Sequence, residues 1–204
     1  MEYGCFSEDQ PGVLFENITF EQLNKKYGDG VDGHFTPPTC AGRDKTAIII
    51  PFRERHRNLT ILLNNLIPVL RNRNKDFTIF VIEQDLDTTF NKALLMNAGF
   101  KEALKQDYFT CFIFHDVDYI PETSNVPYEC LLNRSYHLPS AVSVFNYTVR
   151  YKFAGGVLTM PPHLFQAING FSNLYFGWGF EDNDMYRRYF LVLGLMNTTL
   201  GISV

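Results

Sequence analysis

The chain has 204 residues, 46 % of them apolar and 20 % charged, with a formal net charge of −4. That length holds one domain with a sizeable core, and the composition excludes a disordered, collagenous or coiled-coil protein. The acidic balance leaves no basic face for nucleic acid, no apolar run reaches the roughly 18 residues of a membrane span, and residues 1–20 lack the basic and apolar regions of a signal peptide.

Residues 1–44 carry Gly28, Gly30, Gly33, Pro37, Pro38 and Gly42 and read as an irregular N-terminal wrap. Within it, Gly28-Asp29-Gly30-Val31-Asp32-Gly33 matches a dinucleotide fingerprint by letter. That fingerprint must follow a strand and open a helix, and this one follows Lys25-Lys26-Tyr27 and leads into prolines, so it reads as a polar turn. A regular pattern starts at Thr46–Phe52, a continuous apolar run that predicts a buried parallel strand. Leu59, Leu62, Leu63, Leu66, Ile67 and Leu70 form the stripe of an amphipathic helix, which Pro68 is expected to end or kink. Phe77–Glu83 predicts a second strand, Phe90–Gln106 a second helix weakened at Gly99, and Phe109–Phe114 a third strand. This β-α-β-α-β order predicts a parallel sheet with helices on its faces.

Ligands of such sheets bind just past the carboxyl ends of the strands. Those ends are Pro51-Phe52-Arg53-Glu54-Arg55, Glu83 to Asp87, and His115-Asp116-Val117-Asp118. Arginines and carboxylates converging on one rim suit a phosphate and a cation together. Three Asp-x-Asp patterns occur, at 85/87, 116/118 and 182/184. Only the pair 116/118 ends an unbroken apolar strand, where extended chain puts both carboxylates on one side for one hard divalent ion. Phe176 to Asp184 holds the only tryptophan, Trp178, with Gly177, Gly179, Glu181, Asp182 and Asp184. The glycines permit a mobile loop, the indole offers a face for a sugar ring, and Glu181 or Asp182 can supply a general base. The same acidic run also reads as a helix N-terminus, which does not exclude catalysis. The histidines have no metal-ligand spacing and no Gly-x-Ser-x-Gly elbow is present. Four cysteines, Cys5, Cys40, Cys111 and Cys130, form no CxxC pair, and read as buried thiols or as disulfides. Five sequons, at Asn17, Asn58, Asn133, Asn146 and Asn197, lean towards a secretory lumen, where disulfides form.

In this order, Pro51-Phe52-Arg53-Glu54-Arg55, Phe90-Asn91-Lys92-Ala93, Phe114-His115-Asp116-Val117-Asp118, Gly155-Gly156-Val157, Asn169-Gly170-Phe171 and Trp178-Gly179-Phe180-Glu181-Asp182 resemble the β-1,4-galactosyltransferase family. The resemblance runs from about Cys5 to about Gly194. It implies an α/β GT-A fold, a Rossmann-like mixed sheet with flanking helices, over residues 45–204. It implies Mn2+, a UDP-galactose or UDP-N-acetylhexosamine donor, an acceptor ending in N-acetylglucosamine or glucose, and inverting β-1,4 transfer in the Golgi lumen. By residue match, Pro51, Phe52, Arg53 and Arg55 line the uridine diphosphate site. Phe90 and Lys92 add donor contacts, Asp116 and Val117 lie against the nucleotide, and Asp118 ligates the metal. Trp178 and Gly179 belong to the closing loop, Glu181 and Asp182 to the acceptor and base positions, and Phe153, Gly155, Gly156 and Phe180 to sugar selection. The resemblance pairs Cys5 with Cys40 and Cys111 with Cys130.

The chain departs from the pattern at Lys92, where the family has arginine, at Phe180, where it has a loop glycine, and at Asn183, where it has aspartate. The resemblance further implies two more metal ligands, a methionine and a histidine, from a later segment, and an N-terminal membrane anchor, and neither is expected within residues 1–204. The GT-A domain is therefore expected to be incomplete at its C-terminal end. The alternative reading is a non-catalytic truncated product with weak UDP binding.

Overall fold

The structure is a computed structural model that describes residues 14–37, 44–85, 87–139, 142–148 and 153–193. Five α-helices occur among them: α1 (Phe20–Tyr27), α2 (His56–Asn72), α3 (Lys92–Gln106), α4 (Pro162–Ala167) and α5 (Glu181–Leu193). Six strands, β1 (His34–Phe35), β2 (Lys45–Phe52), β3 (Asp76–Glu83), β4 (Cys111–His115), β5 (Tyr136–His137) and β6 (Val157–Met160), form one sheet in the order β1-β3-β2-β4-β6-β5. The central strands β3, β2 and β4 are parallel, and the three the sequence did not reveal, β1, β5 and β6, add antiparallel. Two of these are only two residues long, too short for a period-2 pattern to show.

Side chains of successive residues on the central strands enter opposite cores. Ile48, Ile50 and Phe52 of β2 and Ile113 of β4 pack under α1 and α2. Ala47 and Ile49 of β2 and Phe112 and Phe114 of β4 pack under α3, α4 and α5. This burial on both faces is why β2 reads as an unbroken apolar run. The second core is aromatic: Phe100 meets Phe112 with ring centroids 4.4 Å apart, and Phe114 meets Phe165 at 4.4 Å.

The structure corrects or narrows three sequence expectations. The N-terminal wrap is not wholly irregular: Thr19 caps α1 in a reciprocal box with Gln22, and β1 pairs with β3. The Gly28–Gly33 turn joins these two elements. Pro68 does not end α2, which runs on to Asn72. A proline here leaves the carbonyl four residues back, at Asn64, without its helical donor. The hydroxyl of Tyr27 on α1 supplies one, donating to that carbonyl at 3.1 Å. Gly99 marks close packing rather than weakness, since a Cβ there would lie 2.4 Å from Ile49 and 2.8 Å from Ile82.

Cys111 and Cys130 form a disulfide that ties the start of β4 to the segment leading to β5. The Cys5–Cys40 pair and the Asn197 sequon lie outside the described residues. Asn17, Asn133 and Asn146 are exposed. Asn58 is half-buried in the first turn of α2, and its sequon partner Thr60 is buried with its hydroxyl donating to the Arg57 carbonyl at 3.0 Å.

Candidate functional site

The ends of β2 and β4, the start of α3 and the start of α5 meet at one rim of the sheet. Its centre is Lys92, the first residue of α3, with a side chain only 14 % exposed. Its ammonium lies 3.2 Å from Asp116 Oδ2, 2.9 Å from Glu181 Oε1 and 3.0 Å from both oxygens of Asp182. The helix start is fixed by Asn91, which is buried, accepts from the Leu94 N–H at 2.9 Å and donates to the Asn173 carbonyl at 2.8 Å.

Charges in this cluster shift one another. Burial disfavours the ammonium of Lys92, but Asp116, Asp182 and Glu181 together outweigh it and hold the amine protonated well above the ordinary range. Asp116 is pushed up to about 6, mainly by burial and further by Asp182 and Asp118, against the pull of Lys92. Asp182 is raised by burial and by Glu181, again with Lys92 opposing. Glycine at 155 makes room for the cluster: a Cβ there would lie 2.3 Å from Asp182 Oδ2. The His137 ring donates through Nε2 to the Gly155 carbonyl at 2.7 Å, and it packs nearly perpendicular to the Phe153 ring with centroids 5.6 Å apart. Gly156 has φ +83° and packs where a Cβ would strike the Tyr119 ring.

Asp116 and Asp118 do not form a side-by-side pair on extended chain. The strand stops at His115 and the backbone turns at Val117 and Asp118. Asp116 therefore points to Lys92, while Asp118 lies out at the rim, 3.4 Å from Arg55 Nη1. Asp116 keeps one buried oxygen, Oδ1, without a partner. Across the rim, Glu54 adopts φ +53° between Arg53 and Arg55, a left-handed kink at the end of β2. Arg53 lies 5.0 Å over the Phe90 ring and donates to the Thr88 carbonyl at 2.7 Å. Pro51, Phe52 and Val117 are buried at the base of the rim. Under the strand end, His115 is fully buried, with Nδ1–H donating to the Asp116 carbonyl at 2.8 Å and Nε2 accepting from Tyr128 at 3.0 Å.

The segment before α5 stands away from the body. Trp178 is 98 % exposed and Phe180 is 73 % exposed, with Leu174 and Phe176 exposed beside them. Gly177 and Gly179 have φ +81° and +99°, and Phe180 takes φ +75°, a left-handed conformation unfavourable to a side chain. The stem is held: the Gly177 N–H donates to the Phe90 carbonyl at 2.8 Å, and Asn97 of α3 bonds both Phe171 and Asn173. The sequence picked out Lys92, Asp116, Gly155, Glu181 and Asp182, which the fold brings together. Arg55 and Asp118 meet beside them, and Trp178 and Phe180 stand outside contact with the cluster. Sequence reading did not find His137, Tyr119, Asn91 or Asn97. Asn91 carried a usable signal, an N-cap residue ahead of a periodic run, and the other three carried none.

Comparison with known proteins shows the family and the fold. The profile of the N-terminal region of glycosyl transferase group 7 matches residues 9–131, and that of the N-terminal domain of galactosyltransferase matches residues 136–196. A β-N-acetyl-D-glucosaminide β-1,4-N-acetylglucosaminyl-transferase of Lymnaea stagnalis is 48 % identical over 91 % of this chain and 39 % of its own length. Human β-1,4-galactosyltransferase 1 is 43 % identical over 86 % of this chain and 43 % of its own. The chain thus spans about two-fifths of these curated relatives. The Drosophila β-1,4-galactosyltransferase 7 catalytic domain with xylobiose superposes with a TM-score of 0.69 at 32 % identity, over 76 % of this chain and 64 % of that one. A mutant of it complexed with manganese, UDP-Gal and xylobiose gives 0.68. The mixed sheet with flanking helices is that of GT-A catalytic domains. With both profiles following one another along the sequence, the chain belongs to the β-1,4-galactosyltransferase family, glycosyltransferase group 7.

Proposed function

We propose that this domain transfers galactose, or an N-acetylhexosamine, from its UDP conjugate to a glycan ending in N-acetylglucosamine or glucose. The linkage formed is β-1,4, with inversion, in the Golgi lumen of a protein anchored to the membrane elsewhere in its length. One observation carries the reading: a largely buried base candidate, Asp182, lies beside bare glycine backbone on the same rim as two arginines and the carboxylate of Asp118.

Asp118 would hold a manganese ion, and the rim fits one, offering a half-exposed hard oxygen donor whose one ion-pair partner among the described residues is the exposed Arg55 guanidinium at 3.4 Å. Such an ion supplies Lewis-acid neutralisation of the pyrophosphate leaving group. Arg53 and Arg55 supply guanidinium donors for the same phosphate oxygens. The unpartnered Oδ1 of Asp116 is an acceptor suited to a nucleotide hydroxyl. Asp182 takes the proton of the acceptor hydroxyl as the sugar carbon is attacked from the face opposite UDP, the one-base logic of inversion. The exposed Trp178 segment closes over both sugars, stacks the indole on a ring and excludes water.

A second reading, UDP binding without turnover, has one observation in its favour: among the described residues no three His, Cys, Asp or Glu side chains gather for a metal ion. Incubation with UDP-galactose, Mn2+ and N-acetylglucosamine separates the two. A β-1,4 disaccharide, identified by its NMR coupling, is expected. Asp182→Asn should lower kcat about 100-fold or more and leave UDP affinity within about threefold. Turnover retained in Asp182→Asn removes the base assignment, and UDP binding with no product supports the second reading.

A further inference from the structure

We propose that Lys92 is a positioning residue for Asp182, holding that carboxylate in place and in its ionised form, and is not a contact to the donor phosphates. The inference rests on the transferase reading above. An ammonium has three N–H donors. Here they meet three carboxylates, Asp116 at 3.2 Å, Glu181 at 2.9 Å and Asp182 at 3.0 Å. None is left for phosphate, a task for which the half-buried Arg53 and the exposed Arg55 stand just past the end of β2. Both oxygens of Asp182 lie at the same distance from the ammonium, which therefore sits between them and fixes the rotation of the carboxylate. On another side the bare backbone of Gly155 approaches so closely that no Cβ fits. Lys92 is itself anchored through the buried Asn91 cap.

The groups facing Asp182 are Lys92 from α3, Asp116 and Tyr119 from the turn after β4, and Glu181 from its own helix. Lys92 is the only cation among them. Without it, three carboxylates share a desolvated site, and burial together with like charge favours protonated Asp182. A protonated carboxyl cannot accept the hydroxyl proton, so the base is lost while the donor site stays intact.

The test compares Lys92→Met and Lys92→Arg with the wild type by donor KM, by kcat across pH, and by 13C NMR titration of the Asp182 carboxyl, assigned with Asp182→Asn. Lys92→Met should lower kcat at neutral pH by about 100-fold with donor KM within about threefold. Its acidic kcat limb and the Asp182 titration should both move up by about one pH unit or more. Lys92→Arg should keep the limb where it is, with kcat reduced by the changed donor geometry. A donor KM raised about tenfold in Lys92→Met, with kcat and the Asp182 titration unmoved, overturns the proposal. If Lys92→Met does not fold, Lys92→Arg decides: lower kcat at unchanged donor KM supports positioning, and tighter donor KM at unchanged kcat overturns it. If the wild type transfers nothing, the transferase reading fails separately. The NMR titration then decides alone, an upward shift supporting the proposal and an unmoved Asp182 overturning it.

Discussion

At the end of β4, the buried His115 and the largely buried Asp116 are neighbours whose titrations oppose each other. Burial pushes His115 down to about 4, so the folded protein holds it neutral. A histidine in the unfolded chain titrates near 6.5, so between about pH 6.5 and 4 the unfolded state binds more protons and acidification removes up to about 3 kcal/mol. Asp116 is raised to about 6 in the fold against about 3.8 in the unfolded chain. Its protonation adds stability that is fully present below the lower value and is lost as pH rises through the upper one. The wild type in chelator should therefore show a nearly flat stability between pH 4 and 6. His115→Asn, which keeps a donor for the Asp116 carbonyl, removes one of the two effects. Relative to the wild type it should gain about 3 kcal/mol between pH 7 and 4 in urea unfolding. Identical pH dependence in both proteins would refute the buried neutral imidazole. Nothing in the sequence marked His115 as more than a strand-end residue, because burial is a property of the strands and loops that cover it.

Among the elements, α2 shows how a distant partner decides between the two outcomes a local rule leaves open. Proline inside a helix removes a hydrogen bond, and read alone Pro68 predicts an end or a kink. The partner that repairs the damage, Tyr27, lies 41 positions earlier in the chain, in a stretch whose glycines and prolines concealed a two-turn helix. Tyr27→Phe should destabilise by about 1–3 kcal/mol, because it leaves the buried Asn64 carbonyl unpaired. In a Pro68→Ala background the helix regains its own donor, so the same change should do less harm. Urea denaturation of the four proteins of this cycle measures the coupling, and strict additivity would contradict the account. The strands β2, β3 and β4 and helix α3 were legible for the opposite reason, since each carries its periodicity or apolar run within its own residues. The apparent flaw at Gly99 becomes intelligible only once Ile49 and Ile82 are seen against it.

Across the whole molecule, one sheet separates two cores and delivers its strand ends, with the starts of α3 and α5, to a single rim. The sequence located that rim because motifs at strand ends are local, and it named Arg53, Arg55, Asp116, Asp118 and Asp182 as neighbours. It did not foresee how they divide. Asp116 and Asp182 share Lys92 inside, while Asp118 meets Arg55 at the edge, a split made by the turn at Val117 and the kink at Glu54. The outer pair, Arg55 and Asp118, is the more exposed of the two groups and the one open to a charged ligand. Calorimetric titration of UDP with and without Mn2+, in the wild type and in Asp118→Ala, tests this most directly. The prediction is that manganese tightens UDP binding by about tenfold or more in the wild type and leaves Asp118→Ala unaffected. Equal, metal-independent binding in both proteins, or no binding in either, would contradict it.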